Sequence, residues 1–138
     1  RHPAVDSRPL YREEQRLYCG CDHPLFSCND ALDIAQVQQH PYVGRSYMHG
    51  LDADRDGGFD HRAMTSHMEA IAILIKSGRY LGYLPVHFAR AFVEQGEMRS
   101  LLDENLAFFD TFHLAHRKDE KNRAAMLLSQ CLTELLTT

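Results

Sequence analysis

The sequence predicts an α/β domain in which helices flank a largely parallel sheet. Three observations carry this: strand-like and helix-like segments alternate, turn and cap residues punctuate them, and the apolar content suits one core. The order read from the chain is β-α-β-β-α-β-α-β-β-α, and such alternation favours parallel strands joined by crossover helices. With 138 residues, 44% hydrophobic and 25% charged, the chain is sized for a single globular domain.

Arg1 to Gln15 form a polar lead containing proline, and RLYCGC (residues 16–21) reads as the first strand, ended by Asp22, His23 and Pro24. A short helix follows, capped by Asn29 or Asp30, with Ala31, Ile34 and Ala35 on its apolar side and Pro41 forbidding its continuation. PYVGRSY (41–47) is the second strand. MHGLDADRDGGFDH is a loop by composition, leading to a brief strand, RAMT.

Ser66 and Glu69 match the S-x-x-E capping box of the next helix, and Gly78 stands where a terminating glycine belongs. Between them Met68, Ala70, Ile71, Ala72, Ile73, Leu74 and Ile75 leave no polar side. A helix apolar all round is expected to be covered twice, by its own sheet and by something else, a partner subunit being one candidate. YLGYL is a strand. Pro85 opens a helix at its first position, Phe88 and Phe92 are paired at i,i+4, and Gly96 closes it. MRSLL and FFDTFHLAH are strands, and Asp119 caps a last helix striped by Ala124, Leu128, Cys131, Leu132, Leu135 and Leu136.

A net charge of −4 and no Lys/Arg run longer than two exclude a nucleic-acid surface on this segment. The longest apolar run, Ala70–Ile75, is six residues, too short to cross a membrane, and RHPAVDSRPL is no signal peptide, so the chain reads as a piece of something longer. Four cysteines in a domain with a full apolar complement read as reduced thiols in a cytoplasm.

Asp52, Asp54, Asp56, Gly57 and Asp60 imitate half a calcium loop, but its twelfth position is Ala63, so an acidic solvated loop is the better reading. Cys19, Cys21, His23 and Cys28 lack the spacing of a zinc knuckle, and the nine histidines show no ligand pattern. Neither a metal nor a cofactor is expected, and no nucleophile motif points to an enzyme. The anion-binding candidates are Arg45 at a strand end, whose fork suits a carboxylate or phosphate, and His67 at a helix N-terminus.

The run HRAMTSHMEAIAILIKSGRYLGYLPVHFARAFVEQGEMRSLL resembles the effector-binding domain of LysR-type transcriptional regulators, as do YREEQRLYCGCDHPLF with its HPL turn and the closing HLAHRKDEKNRAAMLLSQCLTELL. The resemblance implies a Rossmann-like, periplasmic-binding-protein type II fold of two subdomains with an effector cleft between them. It implies that residues 17–105 form the second subdomain after a lead-in at 1–16. Residues 106–138 then supply the return strand and last helix of the first, whose remainder and DNA-binding region lie upstream. The effector contacts it implies are Gly44, Arg45, Ser46, Tyr47, Thr65, Ser66 and His67, with Cys19 and Thr111 near the crossings. It assigns Met68, Ile71, Ala72 and Ile75 to a dimer interface. The loop from Met48 to His61 has no cysteine, which disfavours the paired-cysteine redox sensing of some members. The implied function is reversible sensing of a small, carboxylate-like effector by a cytoplasmic homodimer or homotetramer that reaches DNA through its upstream region. The alternatives are a transport-type binding protein of the same architecture and a metal-dependent enzyme.

Overall fold

The computed structural model describes residues 3–28, 30–46 and 58–136. The chain forms two compact units, residues 14–108 and residues 1–13 with 109–138. Strand β1 (Val5–Gly20) and strand β6 (Phe108–Arg117) each have residues in both.

The larger unit is built on strands β2 (Pro41–Arg45), β3 (Asp60–Thr65), β4 (Leu81–Pro85) and β5 (Met98–Ser100), with β1 inserted among them in the order β3-β2-β4-β1-β5. The pairings β2–β3 and β2–β4 are parallel, while β1 runs antiparallel to both β4 and β5. The α/β class therefore holds with a mixed sheet: residues 66–80 cross over β2 to join the parallel strands β3 and β4, and β1 enters from the opposite direction.

Alternation along the strands sends side chains to two faces. On one face Leu17, Cys19, Tyr42, Leu81 and Tyr83 pack with Leu25, Val37, Phe59 and Leu101. Helix α1 (Ile34–Gln38) contributes Val37 to this face. On the other, Tyr18, Val43, Leu84 and Met98 pack with Ile71, Ala72 and Ile75 of α2 (Met68–Lys76) and Ala89 of α3 (Val86–Glu94). Gly82 is required there: a Cβ would meet Val43, Ile71 and Ile75 at 2.9 to 3.1 Å.

Several sequence expectations are corrected. The polar lead is strand from Val5 onward. Asp33, not Asn29 or Asp30, caps α1: its carboxylate accepts from Gln36 N at 2.7 Å while Asp33 N donates to Gln36 Oε1 at 3.0 Å, a complete capping box. Asn29 lies outside the described residues. Ser66 does not cap α2, because the helix begins one residue later, with His67 as N-cap and no side-chain cap bond. Glu69 is then one position too early for the box. The terminators hold, with Gly78 at φ +75° and Gly96 at φ +73° after C-caps Ser77 and Gln95. Pro85 is the N-cap of α3 rather than its first residue, and Phe88 and Phe92 lie 6.0 Å apart at a tilt.

MRSLL is strand only to Ser100. Leu102, at φ 49°, turns the chain into an unanticipated helix α4 (Asp103–Leu106). Asp103 fixes this turn by accepting from Arg16 Nη1 at 2.8 Å and Ser100 Oγ at 2.9 Å.

In the smaller unit β6 pairs with β1, Tyr11 stacks on Phe112 at 4.8 Å, and the Arg12 guanidinium lies 4.4 Å from the Phe109 ring centre. Arg8 donates to Ser129 Oγ and Thr133 Oγ1 of helix α5 (Arg123–Leu136). Asn122 rather than Asp119 caps α5, its Oδ1 accepting from Ala124 N at 2.9 Å; Asp119 is taken by Arg117 at 3.2 Å.

Candidate functional site

Parallel strands end together, so the β2–β3 register sets Arg45 opposite Thr65 at the carboxyl ends of both. That end is where ligands sit in open α/β sheets. Helix α2 starts three residues past Thr65, whose Oγ1 accepts from His67 N at 3.2 Å. From the antiparallel direction β1 brings Gln15 opposite Pro85, at the end of β4.

Arg45 is held from one side. Its Nη2 donates to Gln15 Oε1 at 2.8 Å and to the Tyr83 carbonyl at 3.2 Å. Its Nε is buried with no hydrogen-bond partner among the described residues. A buried charged donor left unmet is costly unless a ligand or water meets it. Both acceptors are neutral, and no carboxylate of the described residues pairs with Arg45. The arrangement can accept an oxyanion.

The other expected site residues separate. Gly44 is buried beside the His61 ring, where a Cβ would stand 2.9 Å from Nδ1, so this glycine makes room for a neighbour rather than for a ligand. Ser46, Ser66 and His67 are exposed at the same strand ends. Tyr47 lies outside the described residues, as do Asp52, Asp54, Asp56 and Gly57. Cys19 is a correction: it is fully buried in the core with Leu17 and Leu81, and burial pushes its thiol up to about 11, so it packs and offers no surface to an effector. Thr111 belongs to the smaller unit and is exposed there, its carbonyl 3.2 Å from His113 Nδ1.

The interface assignment is also corrected. Ile71, Ala72 and Ile75 are buried against their own sheet and have no area left for a partner. Met68 is half-buried on the same cluster, whereas Ile73 is 69% exposed. Ridges at i, i+1 and i+4 turn one face of α2 inward, so the two-sided apolar sequence has one covered side and one open one.

Gln15 was missed. It lies in what reads as a lead-in, and the available signal was its period-two alignment with Leu17 and Cys19, which places it on an inward face. His23 was read as a turn residue. It is 4% exposed, its Nδ1 accepts from Leu25 N at 3.1 Å, and its ring meets His40 edge-on at 4.8 Å. Burial, and then His40, lower it to about 4.

Among the described residues no group of three or more His, Cys, Asp or Glu could hold a metal ion, and no helix is long and apolar enough to cross a membrane. An α/β unit with a half-buried arginine at the carboxyl ends of its parallel strands defines a ligand-binding class of domain. The particular family follows from comparison, since the LysR substrate binding domain pattern matches residues 1–137. The chain belongs to that family.

The chain is 35% identical over 115 residues to the HTH-type transcriptional activator BauR of Pseudomonas aeruginosa, a match covering 82% of this chain and 38% of that protein. The chain thus spans well under half of that relative's length. Solved structures share the fold at low identity. The bromide-bound regulatory domain of HypT from Salmonella typhimurium is 15% identical with a TM-score of 0.73, covering 99% of this chain and 66% of that one. The CcmR regulatory domain from Synechocystis PCC6803, in complex with 2-PG, is 15% identical with a TM-score of 0.76, covering 97% and 68%.

Proposed function

We propose that this chain is the effector-sensing part of a bacterial LysR-type transcription regulator, and that it binds a small anionic effector, a carboxylate first, at the carboxyl ends of β2 and β3. The observation that carries this is the Arg45 guanidinium, held by neutral acceptors, with no partner for Nε among the described residues, level with Thr65. Ser46, Ser66 and His67 line the same strand ends, where the N-terminus of the nine-residue α2 adds a favourable field for an anion. The protein works by reversible binding and not by turnover. An effector acts to the extent that it binds two states of the regulator differently.

The wider assignments belong to the same proposal. Residues 17–105 make up the second subdomain of the effector domain, and 106–138 return to the first. Support for a missing remainder comes from α5, which has no buried residue, and from the solved regulatory domains, of which this chain covers about two thirds. The regulator is cytoplasmic, self-associates as a homodimer or homotetramer through the open side of α2 that carries Ile73, and reaches DNA through a region not in this chain.

Screening small carboxylates by thermal shift tests the site. Stabilisation of the wild type that Arg45→Ala removes, at an unchanged unliganded melting temperature, is the expected result. Equal stabilisation of both proteins would eliminate Arg45 as the anchor.

A further inference from the structure

We infer that Gln15 is a positioning residue for the effector site: it holds the Arg45 guanidinium in place through a neutral acceptor and ties it to strand β1. The inference rests on the reading of Arg45 as the anion anchor.

Gln15 is a fully buried polar residue on a sheet face otherwise made of Leu17, Cys19, Leu81 and Tyr83. Burying an amide there is unfavourable unless its hydrogen bonds are made. Its Oε1 makes one to Arg45 Nη2 at 2.8 Å, and the Tyr83 carbonyl restrains the same nitrogen at 3.2 Å. The side-chain type matters more than the contact. A glutamate in this place would reach the same nitrogen and also cancel the charge, leaving little attraction for an anion. An aliphatic residue would leave the guanidinium free to turn. Glutamine does neither: it fixes orientation, which lowers the ordering cost of binding, and adds no negative charge beside the guanidinium.

The test uses the intact chain labelled with 15N, sodium acetate as the probe at constant ionic strength near pH 7, and the Arg45 Nε–Hε resonance as the readout. In the wild type, acetate shifts this resonance saturably and Arg45→Lys abolishes the response. In Gln15→Leu, Nε–Hε exchange with water accelerates and acetate affinity falls tenfold or more. In Gln15→Glu, exchange stays slow because the guanidinium is still held through Nη2 and its Nε stays buried, but acetate binding is lost. A folded Gln15→Leu with wild-type exchange and affinity overturns the inference. Should that variant not fold, undiminished acetate binding by Gln15→Glu overturns it equally. No response at Arg45 in the wild type sinks the anion site itself, which separates the two failures.

Discussion

Helices α2 and α5 look alike as sequences, each with apolar residues at helical spacing, yet they differ in what covers them. The inward face of α2 closes onto strands β2, β3 and β4, and Ile71, Ala72 and Ile75 are all but inaccessible. In the smaller unit no described residue is buried, and Leu127, Leu128 and Leu135 of α5 are 61%, 61% and 74% exposed. Burying a leucine contributes roughly 1.5–3 kcal/mol, which α5 forgoes several times over. The difference teaches that periodicity identifies a face that needs covering and is silent about which element covers it.

The comparison can be broken at Ile75 and Ile73, two residues apart on one helix. Ile75→Asp puts an unpaired charge into the core of the larger unit and should cost more than about 4 kcal/mol, abolishing its cooperative urea transition. Ile73→Asp should shift the same transition by no more than about 0.5 kcal/mol, and its effect should fall on self-association, read by analytical ultracentrifugation. A fully unfolded Ile73→Asp protein would restore the two-sided burial that the apolar run suggests.

The next effect in size is a pH dependence confined to the larger unit. Folded His23 is held down to about 4, against about 6.5 in the unfolded chain, so between these values the unfolded state binds more protons. Stability is therefore complete above about pH 6.5 and is lost as pH falls toward 4, by up to about 3 kcal/mol. His23→Asn, which can still accept from Leu25 N, should flatten the plot of urea midpoint against pH through that window. An unchanged slope would mean that other groups set the acid limit.

The smallest effects concern caps. Asp33→Ala removes an observed capping box and should cost about 1 kcal/mol in the same denaturation assay. Ser66→Ala removes a residue that matches the capping pattern but makes no cap bond, and should cost under about 0.5 kcal/mol. The reverse ranking would place the start of α2 one residue earlier.

The class of fold was legible because it follows from local periodicity and punctuation. Gly78, Gly96 and Pro85 mark helix ends within a residue, as their backbone preferences require. What escaped depends on contacts distant in sequence. β1 extends through a polar stretch because strand β6 pairs with it, and α4 exists because Arg16 and Ser100 converge on Asp103. Arg45 was legible as an anchor from its place at a strand end. Gln15 was not, since its role depends on a partner 30 residues away. Cys19 was misplaced because a small residue near a crossing reads the same whether it packs inward or faces a ligand.

The central claim is that residues 14–108 hold a complete core around the strand-end site while the apolar face of α5 is uncovered. Amide hydrogen exchange of the intact chain, read segment by segment, tests it most directly. The account predicts slowest exchange at Leu17–Gly20, Tyr42–Gly44 and Leu81–Leu84, and exchange orders of magnitude faster across Arg123–Leu136. Equal protection of Arg123–Leu136 and the central strands would contradict it.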